Sequence, residues 1–247
     1  MIINGVGLAQ ACRSVAENYK TLYVMGCFGA PMNAANKERY CQNHPYNRQT
    51  EQTVKIKGAT ASTFGFDCVC LIKGLLWGWD GDTSRTYGGA GYAVNGVPDI
   101  DADQMLKVCD GISTDFSTIQ VGEVVWMPGH IGVYIGDGLA VESTPIWKDG
   151  VQITAVHNIG KKPGYNGRTW TKHGRLPYIT YEEFDDMSRF KDVRDSAWYA
   201  KEVERAAELG LMVGISENEF GVGQPVTREQ LATVAVRLYE KIERKNI

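Results

Sequence analysis

Residues 68–79, CVCLIKGLLWGW, are apolar almost all the way round, interrupted only by Lys73 and glycines. A helix without a polar stripe has to be buried on every side. The rest of the chain must therefore wrap around this segment. With 247 residues, 43% of them hydrophobic, there is material for one good core and a second small one. Asp67 stands directly before the run, so Cys68 falls at or near the N-terminus of the buried helix. The net charge of −3 and the lack of any basic block give nucleic acid no footing. No stretch is long and apolar enough to span a membrane. The six cysteines, at 12, 27, 41, 68, 70 and 109, read as reduced thiols. Cys41-x-x-His44 is half of a zinc pattern with no second half, so neither metal nor other cofactor is expected.

The pattern along the chain predicts an α+β fold. Helical apolar spacing covers 8–22. A polar stretch over 31–62 reads as an insertion or extended loop, and Gly-rich turns fill 81–96. A short amphipathic helix is expected over 102–109. From 119 onward, IQVGEVVWMPG, HIGVYIG, LAVESTP and VQITAVHN alternate as strands split by turn residues, an antiparallel meander. Residues 161–178 form a closing loop rich in Gly, Lys, Arg and Trp. The acidic segment 181–189 has no strand pattern and reads as a linker, dividing a domain at 1–180 from a small all-α helix-loop-helix module at 190–247. In that module the first helix is expected over 197–209, broken by Gly210 and Gly214. Thr227 caps the second, with Gln230 completing a capping box.

The chemistry gathers on three residues. Unpaired backbone N–H groups and the positive dipole end at a helix start favour a thiolate and provide an oxyanion site, which suits Cys68 to be a nucleophile. On this reading Cys68 should react well below the pH of the other thiols. A thiol nucleophile needs a base and an orienter for that base. His130 heads one strand, and Glu142 lies twelve positions on, past Gly136-Asp137-Gly138. A three-residue loop at 136–138 sets 132 opposite 142 and puts His130 and Glu142 on one face as diagonal neighbours. A two-residue turn would separate them. His44, His157 and His173 are competing bases; His157 reads as structural, and His173 as a residue that could touch substrate. Asp67 reads as a tie for its turn, Cys70 as core, and Trp126 or Trp147 as the tryptophan nearest the cleft. YGGAGY, 87–92, lacks the strand and helix a nucleotide loop needs.

FDCVC at 66–70, GHIGVYIGDG at 129–138 and Glu142 together resemble the NlpC family of peptidoglycan cysteine peptidases. The resemblance implies a papain-like core of N-terminal helices packed on an antiparallel sheet. It implies catalysis by Cys68 and His130, with Glu142 where the family often has His. Tyr23-Val24-Met25-Gly26-Cys27 resembles the family's Y-x-W-G-G segment, which makes Tyr23 the oxyanion-facing hydroxyl. The implied reaction is hydrolysis of a stem-peptide amide bond in bacterial peptidoglycan, between D-γ-glutamate and the diamino acid, through a Cys68 thioester. The alternatives are an N-acetylmuramoyl-L-alanine amidase on the same core, and a catalytically inactive wall-binding protein.

Phe190-Lys191-Asp192-Val193, Trp198, GLMVG at 210–214, Phe220 and Pro225-Val226-Thr227-Arg228-Glu229-Gln230 resemble a single S-layer homology repeat. That resemblance implies binding to the secondary polysaccharide of Gram-positive walls, with Arg228 and Trp198 as polymer contacts. Such repeats usually act in threes. One alone implies self-association, weak binding or a docking surface. The first twenty residues lack the features of a signal peptide. The expectation is a phage or prophage lysin, made in the cytoplasm and reaching the wall by lysis or dedicated export.

Overall fold

The computed structural model describes residues 2, 4–181, 190–193 and 197–243. The chain divides into two compact units, residues 1–182 and 183–247. Of the expected linker at 181–189, residues 182–189 lie outside the described residues.

Unit 1 is a mixed α+β fold. It opens with helix α1 (Gly5–Asn18), capped by the Asn4 side chain, which accepts from the Gly7 N–H. The helix stops short of the expected 8–22. Tyr19 turns extended, and Leu22 belongs to strand β1 (Thr21–Tyr23). Strand β2 (Phe28–Pro31) follows. The polar stretch expected to be a loop instead forms two helices, α2 (Ala34–Asn43) and α3 (Thr50–Gly58). They show little amphipathic signal because each buries only a pair of residues: Asn36 and Tyr40, then Gln52 and Ile56. Strand β3 (Phe64–Phe66) pairs parallel with β1 and antiparallel with β2, giving a three-stranded sheet.

Helix α4 (Cys68–Leu76) is buried at every position, as its sequence demands. Even Lys73 is buried, its ammonium paired with Asp99 and donating to the Ile100 carbonyl. Helix α5 (Ala102–Lys107) carries a full capping box between Asp101 and Gln104. The meander is present as β5 (Val124–Met127), β6 (His130–Gly136), β7 (Leu139–Thr144) and β8 (Gly150–Val156). Three short strands extend it: β4 (Asp110–Ser113), β9 (Gly167–Arg168) and β10 (Lys172–Arg175). The resulting seven-stranded sheet has the order β4-β10-β5-β6-β7-β8-β9, and its β8–β9 pair is parallel. The closing loop therefore supplies two sheet strands. Helices α1 and α4 pack on this sheet, and their apolar residues share one core with Ile131, Val133, Val141 and Trp170. Asn4 bridges to Thr180, and the Gly5 N–H donates to the Thr180 carbonyl at 3.0 Å, so the two ends of the unit meet.

Unit 2 contains helices α6 (Ala200–Glu208) and α7 (Arg228–Glu243). Phe190, Val193, Ala200 and Val203 form its small core. The Asp192 carboxylate accepts from the N–H groups of Phe220, Gly221 and Val222, at 2.7, 2.7 and 2.9 Å. Desolvation would raise this carboxyl, but the three donors hold it below its ordinary value. The expected capping box is present: Gln230 accepts from the Thr227 N–H at 2.8 Å, and Thr227 from the Gln230 N–H at 3.3 Å.

Candidate active site

The turn into α4 is fastened by Asp67. One carboxylate oxygen accepts the Cys70 N–H at 2.7 Å and the other accepts the Gly26 N–H at 2.7 Å. The cap that starts the helix thus also ties it to the segment after β1. Cys68 is 7% exposed, and the backbone N–H groups of Ile131, Val69 and Cys68 act to lower its thiol pKa. Strand β6, which begins at His130, packs against helix α4, which begins at Cys68. Burial, with the charge on Asp67 adding to it, pushes the Cys68 thiol up to about 12. Burial does the same to Cys27 and Cys109, both about 12. The expected acidic thiol is therefore not found in the resting site. The amides favour a thiolate, but desolvation outweighs them.

The histidine and the glutamate share one face. Gly132 lies opposite Glu142, and the His130 Nε2 sits 2.6 Å from Glu142 Oε2. The route to this register differs from the expected one. Gly136 pairs with Leu139, so the turn has only two residues, Asp137 and Gly138, both at positive φ (54° and 71°). The ladder then shifts between Tyr134 and Gly136, leaving Ile135 as a bulge residue. Turn and bulge together restore the odd count. Gly132 is required here because a Cβ would lie 2.8 Å from the Val141 carbonyl oxygen. Ser143, next to Glu142, donates to the Phe66 carbonyl at 2.8 Å and so couples this hairpin to the strand that delivers Cys68.

Glu142 is fully buried and fully engaged. The Thr154 hydroxyl donates to Oε1 at 2.8 Å, and Arg168 Nε donates to Oε2 at 2.7 Å. Desolvation would raise this carboxyl. His130, Arg168 and the Thr154 hydroxyl outweigh it and hold Glu142 below the ordinary carboxylate range. The Trp170 ring stacks on His130 at 5.5 Å with planes 10° apart. Arg168 lies 4.8 Å from the Trp147 ring centroid. Arg168 and Thr154 went unrecognised in the sequence. Thr154 had a legible signal, since it sits opposite Ala140 on the strand beside Glu142. Arg168 had none, because its strand β9 is two residues long.

Tyr23 is brought to the same place. It lines a cleft of about 380 Å³ together with Cys68, His44, Asp99, Asp101 and Gly129. Burial and then the neighbouring Cys68 and Asp67 push its phenol well above its ordinary value, so the hydroxyl keeps its proton. The remaining expectations divide. Cys70 is core, and His157 is half-buried on the run after β8. His173 is buried and paired with Glu123, and its Nε2 lies 3.0 Å from the Asp115 carbonyl, so substrate contact is corrected to a structural role. Neither Trp126 nor Trp147 lines the cleft. Trp126 donates to Asp103 at 2.9 Å, and Trp147 covers Arg168. In unit 2, Trp198 lines a cavity of about 480 Å³ with Leu211, Met212 and Arg237. Arg228, the first residue of α7, is exposed and is not part of that lining.

Residues 189–232 match the S-layer homology domain family, so such a domain is present in unit 2. An endoglucanase from Bacillus sp. (strain KSM-635) is 43% identical over 54 residues, covering 22% of this chain and 6% of that protein. A cell surface protein of Thermoanaerobacter kivui is 45% identical over 55 residues, covering 22% and 7%. Exoglucanase XynX of Acetivibrio thermocellus is 27% identical over 108 residues, covering 38% and 9%. The chain thus spans less than a tenth of each of these relatives. No solved structure matches.

Proposed function

We propose that unit 1 is a peptidoglycan hydrolase of the NlpC type and that unit 2 holds it on wall polysaccharide. The observation that carries the enzymatic reading is the His130–Glu142 hydrogen bond at 2.6 Å, on a strand packed against the helix that Cys68 opens. A nucleophile, a base and an anchored orienter of that base are the parts of a thiol acyl-transfer site. The bond attacked is an amide of the stem peptide, D-γ-glutamyl to diamino acid. Cys68 sulfur attacks the carbonyl carbon while His130 takes the thiol proton. Because burial keeps the resting thiol protonated, the transfer belongs to the attack itself. The N–H groups of Cys68 and Val69 at the start of α4 receive the developing oxyanion, and the Tyr23 hydroxyl turns to it from Met25 Sδ, to which it donates at 4.0 Å in the resting site. His130 then protonates the departing amine, leaving a thioester. Water attacks that thioester, with its proton going to His130, and the free carboxylate and the thiol are restored.

Digestion of purified peptidoglycan with mass analysis of the fragments tests this reading. The expected product carries a new N-terminal diamino acid, and Cys68→Ala yields none. Release of stem peptides with a free N-terminal L-alanine, from glycan strands that stay intact, would instead assign the amidase activity. Equal digestion by Cys68→Ala would sink the nucleophile. The anchoring reading rests on the S-layer homology match and is tested by pull-down with wall sacculi before and after removal of secondary polysaccharide. Binding that survives the removal counts against it.

A further inference from the structure

The helical insertion between β2 and β3 is keyed to the active-site strand by buried amides. Asn47 is 0% exposed; it accepts the Met25 N–H at 3.0 Å and donates to the Met25 carbonyl at 2.9 Å. Gln52, also buried, donates to the Tyr23 carbonyl at 2.5 Å. Lys55 pairs at 2.6 Å with Asp149, whose other oxygen accepts the Tyr23 N–H at 3.1 Å. The Tyr46 ring packs edge-on against Tyr23 at 5.6 Å. Satisfied buried amides of this kind specify one geometry, because any slip would strand them. The insertion is thus a rigid wall of the cleft and not a loop laid over it.

That wall presents His44 to the cleft. The His44 carbonyl accepts the Arg48 N–H at 3.2 Å, and its Nδ1 accepts the Tyr46 N–H at 3.1 Å. A backbone N–H can only donate, so Nδ1 offers its lone pair and the ring proton sits on Nε2. Among the described residues, Nε2 has no hydrogen-bond partner. The cleft lining carries the carboxylates of Asp67, Asp99 and Asp101 against the one ammonium of Lys73, which disfavours an anionic acceptor. An uncharged amide oxygen is the acceptor that fits.

We infer that His44 is a specificity residue whose Nε2–H receives a peptide carbonyl of the stem peptide lying across Cys68. The inference rests on the proposed hydrolase reading and deepens it. The insertion supplies a substrate contact that the nucleophile and hairpin alone do not provide. Steady-state kinetics on a soluble tetrapeptide, L-Ala–γ-D-Glu–diamino acid–D-Ala, test it. His44→Ala is expected to lower kcat/KM by about 3- to 10-fold, the range for one neutral hydrogen bond, with the loss falling in KM. His44→Gln, which keeps an N–H at similar reach, is expected to recover part of it. Binding of the same peptide to the Cys68→Ala protein, with and without His44→Ala, reads the contact without turnover and should weaken by the same factor. An unchanged KM and affinity overturn the inference, as does a loss lying in kcat alone. If the wild type leaves the peptide uncleaved, the hydrolase reading fails, while the binding comparison still decides whether His44 holds the peptide.

Discussion

At the scale of single residues, the candidate site turns on one crowded oxygen. His130 and Arg168 both reach Glu142 Oε2, and Thr154 occupies Oε1. A carboxylate held by those partners cannot rotate away from the imidazole. Glu142→Gln replaces an acceptor-only group by an amide, so it is expected to lower kcat by about 10²- to 10⁴-fold, measured on isolated peptidoglycan. Arg168→Met leaves the carboxylate in place with one hold released, and a smaller fall in kcat than for Glu142→Gln is expected in the same assay. The carboxyl also links folding to pH. Its value is depressed in the folded chain, so its stabilisation is present above the unfolded value of about 4.3 and is lost as pH falls through the folded one. Thermal melting should therefore drop on acidification below about pH 4.3, and Glu142→Gln should flatten that drop. A melting curve equally steep in the variant would show that other carboxylates set it.

At the scale of elements, the hairpin decides whether there is a site at all. Its two-residue turn alone would put Glu142 on the face opposite His130; the bulge at Ile135 turns it back. Deletion of Ile135 is expected to abolish activity while the sheet still forms, read by circular dichroism alongside the digestion assay. Retained activity would mean that the ladder recovers its register elsewhere. This element also shows what was legible in advance. The strands β5 to β8 alternate plainly, and the pairing of 132 with 142 follows from requiring His130 and Glu142 to meet. The bulge was not legible, because a three-residue loop and a two-residue turn with a bulge produce the same odd offset. The all-apolar α4 announced itself, and Asp67 before it marked the cap. Helices α2 and α3 did not, since their few buried side chains include Asn36 and Gln52, which polarity assigns to solvent. The Cys68 thiol is only half legible for a related reason: helix-end amides are visible in a sequence, whereas the burial that opposes them is not.

At the scale of the whole molecule, there are two units with separate cores, and the proposed function assigns chemistry to the first and placement to the second. A tether raises the local concentration of a catalyst at its polymer without changing its chemistry. Removal of residues 183–247 is therefore expected to leave hydrolysis of soluble muropeptides unchanged and to slow digestion of intact Gram-positive walls. Equal loss on both substrates would mean that unit 2 serves the catalytic fold itself. The bridge between Asn4 and Thr180 bears on the same division. A domain that latches its own two ends is expected to need little structural support from whatever is spliced behind it. Exchange of the tail for another module is therefore expected to leave the pairing of His130 with Glu142 intact, because the ends that the exchange disturbs are already joined to each other.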